Sequence, residues 1–213
     1  KWIKSNLEDK AYLFILLIIS ILLSIFIVKN YSSNFLINSI LISSGLYLFF
    51  ITLRDFFSKG LKNLSQNTAH FGFSLLILSI LFNNLFSTEI ITNLKVGETF
   101  ENTKAKIVFE SISQNKKKNY NSIVAKFTVQ DSTGKLENLS PELRIYNQPN
   151  IVTSEADIKT NIFTDKFMTM NYVQNQDYFN IRYQVKPFMI WIWISTILLC
   201  LSGCLSLIRK KYE

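Results

Sequence analysis

A chain of 213 residues that is 48% hydrophobic but only 18% charged is short of charge for a soluble domain, which usually carries about 25%. Six Gly and three Pro exclude collagen-like and low-complexity chains, two Cys exclude a disulfide scaffold, and one His excludes a Cys/His zinc module. Lys1 stands where an initiator Met is expected, so the chain reads as a piece of a longer protein or as a processed product.

Four stretches lack Asp, Glu, Lys and Arg: Ala11 to Val28, Asn30 to Leu53, Asn63 to Thr88 and Pro187 to Ile208. A bilayer core about 30 Å thick needs roughly 20 helical residues. Lipid offers no partner for backbone polar groups, so each stretch that spans must be helical. The expected spans are about 11–28, 35–53 and 67–86, with a fourth from 187 into a basic tail ending at 213. No small-residue cleavage site follows the first run; Lys29, Asn30 and Tyr31 come next, which argues against a signal peptide.

Positive charge sets the expected orientation. Lys1, Lys4 and Lys10 precede the first span, Arg54, Lys59 and Lys62 follow the second, and Arg209, Lys210 and Lys211 follow the fourth. The turn between the first two spans has only Lys29. Both chain ends and the 54–66 loop are therefore expected on the cytoplasmic or matrix side, and residues 89–186 outside. In that loop Phe56, Phe57, Leu61 and Leu64 alternate with basic residues, which predicts a short amphipathic interfacial helix.

The segment 89–186 reads as β. It holds 13 of the 23 basic and 11 of the 15 acidic residues, so it is nearly neutral and is no nucleic-acid surface. Ile123, Ala125, Phe127 and Val129 alternate with Lys126, Thr128 and Gln130, and Phe179, Ile181, Tyr183 and Val185 with Asn180, Arg182 and Gln184. Shorter strand candidates are 107–112, 143–147 and 167–173. Lys116, Lys117 and Lys118 read as a solvated hairpin loop, and Asp131-Ser132-Thr133-Gly134 as a turn. Five to seven short strands predict a small antiparallel sandwich or barrel, with Ile123, Phe127, Phe179 and Ile181 in its core. The fold class is thus an integral membrane α-helical protein of four transmembrane helices, with a small antiparallel β domain inserted between the third and fourth.

His70 is the residue with chemical potential. It lies about one turn into the third span, in Ala69-His70-Phe71-Gly72, and an ionisable residue inside a membrane helix defaults to a functional hypothesis. On the residues alone two readings stay open: a cofactor or proton-transfer role, and an interfacial histidine bonded to Gln66 or a neighbouring helix. Gly72 leaves a small surface that a flat ligand or another helix could approach. Haem iron commonly takes imidazole ligands, but a bis-histidine haem needs a second His that this chain does not have. Cys200 and Cys204 read as small packing residues, Trp191 and Trp193 as an aromatic belt, and Ser202-Gly203 as a close helix contact.

Three strings then occur in order. Ala69-His70-Phe71-Gly72 opens the third span, Pro141-Glu142-Leu143-Arg144-Ile145-Tyr146 lies within the β segment, and Lys186-Pro187-Phe188-Met189-Ile190-Trp191-Ile192-Trp193 enters the last helix. From about Leu61 onward the chain resembles the C-terminal part of the CcmF/NrfE haem lyase family of cytochrome c maturation. The resemblance implies a multi-pass protein of the bacterial or mitochondrial inner membrane, with its β domain on the periplasmic or intermembrane side. It implies a subunit of a thioether-forming cytochrome c haem lyase, whose bond-forming chemistry lies outside this chain. The partners it implies are the haem chaperone CcmE, a CcmH-type thiol protein, apocytochrome c, and an N-terminal part or separate subunit carrying a tryptophan-rich segment. It also implies a membrane haem b with His70 as one axial ligand to the iron, Gly72 and Gln66 beside it, and the second ligand from outside this chain. The helix–domain–helix layout also resembles ResB of the other cytochrome c assembly system. A different class stays in view: a transporter or secretion subunit, without haem, whose β domain recruits a partner or transmits motion.

Overall fold

The computed structural model describes residues 2–29, 31, 34–58, 63–173 and 177–212, and their side chains except at 2–9 and 209–212. The chain forms two compact units, one of residues 1–86 and 187–213 and one of Ser87–Lys186.

The helical unit contains α1 (Trp2–Val28), α2 (Phe35–Ser58), α3 (Leu64–Phe86) and α4 (Met189–Tyr212). All four are long and apolar enough to cross a membrane. Each packs on its sequence neighbour, α1 on α2, α2 on α3 and α3 on α4. In lipid, helix association depends on close packing and polar contacts, since the tails are as apolar as leucine. The interfaces here are built that way. Buried Ser20 and Ser24 return their hydroxyls to Leu16 and Ile21 carbonyls of their own helix, so neither of these two donors is left unpaired. Thr52 and Ser74 share a hydrogen bond of 2.6 Å between α2 and α3. A Cβ on Gly45 of α2 would sit 2.9 Å from the Cδ1 methyl of Leu81 of α3, so the two helices pack closely at this point.

Three of the helices exceed the charge-free runs that announced them. α1 starts at Trp2 rather than Ala11, α2 continues through Arg54 and Asp55 to Ser58, and α4 continues past Ile208 to Tyr212. The expected amphipathic helix in 54–66 is therefore corrected. Phe56 and Phe57 belong to the last turns of α2, and Leu64 and Gln66 to the first turn of α3; Lys59, Leu61 and Lys62 lie outside the described residues. No Pro or Gly interrupts 54–58, and Arg, Asp and Phe are all tolerated in a helix, so α2 has no reason to stop at its first charge.

Among its described residues the β unit has ten strands rather than five to seven: β1 (Thr88–Leu94), β2 (Thr99–Glu101), β3 (Ala105–Lys116), β4 (Tyr120–Asp131), β5 (Leu136–Leu139), β6 (Glu142–Asn147), β7 (Asn150–Glu155), β8 (Asp157–Thr160), β9 (Thr164–Tyr172) and β10 (Phe179–Pro187). One sheet runs β1-β10-β9-β8, the other β2-β3-β4-β6-β7 with β5 also on β4. Both are antiparallel and face each other as a sandwich. Phe109 and Phe127, a directly opposed pair of β3 and β4, stack 4.3 Å apart at the centre. Ile107, Leu139, Met168, Met170 and Ile181 complete a fully buried core around them.

Of the expected core, Phe127 and Ile181 are buried, whereas Ile123 and Phe179 are only partly so. The phase of β4 explains Ile123. Ala125, Phe127 and Val129 point inward, but one strand-length earlier Ser122 is the buried residue. The β3–β4 ladder slips between Phe109 and Ser111, leaving Glu110 as an extra residue, and such a bulge reorients the side chains beyond it. The turn chemistry is as expected: Asp131 Oδ1 accepts from the backbone of Thr133 (3.0 Å) and Lys135 (3.1 Å), and Gly134 takes φ +84°. Lys117 and Lys118 occupy the β3–β4 turn, closed by the Lys117 N–H on the Tyr120 carbonyl at 2.9 Å.

Candidate functional site

α3 has three faces, and each side chain's role follows from which face it occupies. At about 100° per residue, Phe71, Ser74 and Leu78 fall on one side. That side meets α2: Phe71 lies 5.7 Å from the Phe49 ring and 5.3 Å from Phe56, and Ser74 bonds Thr52. Ser65, Gly72 and Asn83 fall on a second side. Ser65 donates to the Ser202 carbonyl of α4 at 2.8 Å, and Asn83 donates to the Pro187 carbonyl at 2.6 Å. A Cβ on Gly72 would meet Leu198 at 3.2 Å and Leu199 at 3.4 Å.

The third face carries Gln66, His70, Phe73 and Ile80, all exposed, with half-buried Ile77 among them. His70 and Gln66 stand one turn apart. The His70 Nε2 and the Gln66 Nε2 are 3.4 Å apart, in reach of a weak amide-to-imidazole hydrogen bond. The imidazole is therefore open at one edge of α3, above a strip of apolar side chains.

The structure thus brings two of the three sequence-derived site residues together and separates the third. Gln66 and His70 share a face, while Gly72 is turned to α4. The small surface at Gly72 is taken by a helix, one of the two occupants the sequence allowed. Close contact at Ser202-Gly203 is carried by Ser202; a Cβ added to Gly203 would meet nothing within 4 Å. Cys200 and Cys204 are free and exposed on α4 rather than packed, because α3 covers the opposite side of that helix. Trp193 is 64% exposed near the start of α4, and Trp191 is half-buried.

Sequence reasoning missed the polar clamps of α3. Asn83 had a signal, an amide inside a charge-free run. The Ser65 and Ser74 contacts had none, since serines on any face of a membrane helix look alike in one dimension. It also missed an ion cluster in the sandwich. Lys166, only 8% exposed, pairs with Asp131 Oδ2 at 3.2 Å and Glu137 Oε2 at 3.0 Å, and Lys135 holds the other Glu137 oxygen at 2.7 Å. The Thr133 hydroxyl and then the Lys166 ammonium outweigh desolvation and lower the Asp131 pKa to about 2. Burial, reinforced by the charges of Glu137 and Asp131, pushes the Tyr183 phenol well above its ordinary value. Among the described residues no group of His, Cys, Asp and Glu could hold a metal ion by itself.

Residues 85–187 match the CcmF C-terminal β-sandwich family. The chain is 25% identical over 167 residues to the cytochrome c-type biogenesis protein CcmF of Haemophilus influenzae, an alignment covering 76% of this chain and 26% of that protein. It is 27% identical over 166 residues to the probable cytochrome c-type biogenesis protein NrfE of Escherichia coli, covering 78% of this chain and 30% of that one. A solved structure of the cytochrome c haem lyase CcmF superposes with a TM-score of 0.64 at 16% identity, over 89% of this chain and 33% of the other, which shows a shared fold. The chain spans about a quarter of the length of these curated relatives. Residues 85–187 thus carry the CcmF C-terminal β-sandwich, and the chain is similar to the C-terminal part of the CcmF and NrfE cytochrome c-type biogenesis proteins.

Proposed function

We propose that this chain is the C-terminal portion of a cytochrome c haem lyase subunit. In this reading it helps pass haem from the chaperone CcmE to apocytochrome c, and it carries one side of a haem b site in the membrane. The observation that supports the haem site is His70: the only histidine of the chain, inside a membrane-length helix, on the face of α3 that neither α2 nor α4 covers. The residues present fit such a group. His70 supplies one nitrogen ligand, and the strip of Phe73, Ile77 and Ile80 supplies apolar surface for a flat macrocycle. Gly72 takes no part in this fit, because α4 fills its side.

His70 would hold the iron, and Gln66 would restrain the ring, as hydrogen-bonding partners of ligating imidazoles do. The haem, when bound, supplies one-electron chemistry at a potential set by its ligands. The second axial ligand, the tryptophan-rich segment and the thioether-forming residues belong to protein outside this chain, as do contacts to a CcmH-type partner. In the orientation that the basic flanks favour, the sandwich stands on the periplasmic or intermembrane side of an inner membrane.

The test is His70→Ala in the complete protein. The b-type absorption band of the purified protein should be lost and cytochrome c assembly should fall, while His70→Gly with added imidazole should restore part of both. Full haem occupancy with unchanged redox behaviour in the alanine variant overturns the assignment.

A further inference from the structure

The two sheets of the sandwich differ in length. β3 and β4 run for 12 residues each, whereas β9 and β10, the longest strands of the other sheet, have 9. At about 3.3 Å per residue the longer sheet overhangs by about 10 Å. The overhang is at the end with the β3–β4 and β6–β7 turns: β3 is buried at alternate positions from Ala105 to Phe109 and exposed from Ser113 to Lys116. There the face that elsewhere points into the core is open. Leu143 of β6 is buried, but Ile145, on the same face, is only half-buried, and its partner Val152 on β7 is 58% exposed. Ile145 and Ile123 floor an open groove of about 480 Å³, rimmed by the exposed side chains of Gln114, Asn115, Lys116 and Asn121.

The strand register gives this shelf a direction. Val152 faces Ile145, Ile145 faces Asn121, and Asn121 faces Lys116, so one row crosses β7, β6, β4 and β3. Three strand spacings make it about 14 Å long. It is apolar at the β7 end and basic at the β3 end, where Lys116 runs on into Lys117 and Lys118 of the turn. All three lysines are exposed, and among the described residues none has an ion-pair partner, unlike Lys106, Lys135 and Lys166. No acidic residue lines the groove. Between the two ends stand the amides of Gln114, Asn115 and Asn121, each with N–H donors and a carbonyl acceptor.

We propose that this shelf docks an extended segment of a partner protein, with apolar residues at one end and acidic residues at the other. The apolar residues cover Val152, Ile145 and Ile123, in the place where a second sheet layer is missing. The carboxylates meet Lys116, Lys117 and Lys118, the complement of a rim that holds positive charge alone. The amides favour a polypeptide over a lipid anion, because a peptide backbone presents donors and acceptors to them and an acyl chain presents neither. A row of about 14 Å accommodates about four extended residues. The shelf lies within the β unit and uses neither His70 nor a haem, so it stands or falls apart from the haem reading.

The experiment uses the full chain in nanodiscs and a short fluorescent peptide of alternating valine and threonine that ends in three glutamates. Anisotropy should show one peptide bound per chain, with affinity falling as salt is raised. A peptide ending in three lysines, and one with serine in place of valine, should each bind about tenfold or more weakly. Lys116→Glu, Lys117→Glu and Lys118→Glu combined should weaken the acidic peptide about tenfold or more, and Val152→Asp should weaken it about tenfold. All four positions are exposed, and unchanged circular dichroism melts would show both variants folded. Peptide binding that neither variant changes overturns the site. Competition by octanoate at equal affinity would assign the shelf to a lipid anion and overturn the polypeptide. Self-association of the chain that Val152→Asp abolishes, with no peptide bound, would assign it to a second copy and overturn the partner.

Discussion

At the scale of single residues, identity decides less than the face a side chain occupies. His70 and Gly72 are two positions apart, yet one is open and the other is locked against α4. Gly72→Ile should therefore destabilise the helical unit by about 1–3 kcal/mol, the usual cost of overpacking. His70→Leu, on the open face, should leave its thermal melt within about 0.5 kcal/mol. Equal melts for the two variants would contradict this division. Asp131 carries the clearest pH dependence. Its folded pKa, about 2, lies below the ordinary aspartate value of 3.8, so the stability it contributes is present above pH 4 and is lost as the pH falls toward 2. Since the carboxylate is partly solvated, about 1–2 kcal/mol is expected. Melts of the protein from pH 6 to pH 2 check it: Asp131→Asn should start less stable and show a flatter decline.

At the scale of elements, the sequence was informative wherever a periodic signal had no competitor. Four runs without charge mark four helices, because the cost of charge in lipid allows no other reading of Ala11 to Val28 or Pro187 to Ile208. Phe179, Ile181, Tyr183 and Val185 name the inner face of β10 because both of its neighbours are in the same sheet and its ladder with β1 keeps one register throughout. β7 and β8 escaped notice for the opposite reason. They end their sheets, bury almost nothing, and so carry no alternation to read. The partners of α3 were illegible as well, since which serine meets which carbonyl is set by packing across 137 residues of chain in the case of Ser65 and Ser202. One element-level outcome follows from the stacked pair at the centre. Phe127→Asp places a charge against Phe109 in a dry core and should abolish the cooperative melt of the sandwich. A preserved transition would mean that β4 faces the other way.

At the scale of the whole molecule, composition and fold point to one plan: a row of membrane-length helices with a β-sandwich inserted ahead of the last. The side of the membrane on which the sandwich stands is a separate question, and the basic flanks answer it by prediction. A cysteine introduced at Asn119, in the β3–β4 turn, should react with an impermeant thiol reagent added outside intact cells or mitoplasts. Labelling only after lysis would reverse the orientation. The native thiols, Cys200 and Cys204, lie in α4 and need to be replaced first.

The pairing of β1 with β10 has a consequence for how the chain is made. Thr88 meets Val185 and Leu94 meets Phe179, so the first strand of the sandwich waits through about ninety residues of synthesis for its neighbour. Until then β1 is an edge with unmet backbone groups, leaving the translocation machinery beside α3. The hairpins β3–β4 and β6–β7 can form locally as they emerge, whereas the sheet holding β1 can close only when β10 arrives. α4 follows at once, and with it the Ser202 and Pro187 carbonyls that Ser65 and Asn83 need. Closing the sandwich and completing the helix row are thus consecutive events in synthesis, and a chain stopped before residue 179 would leave both halves unfinished.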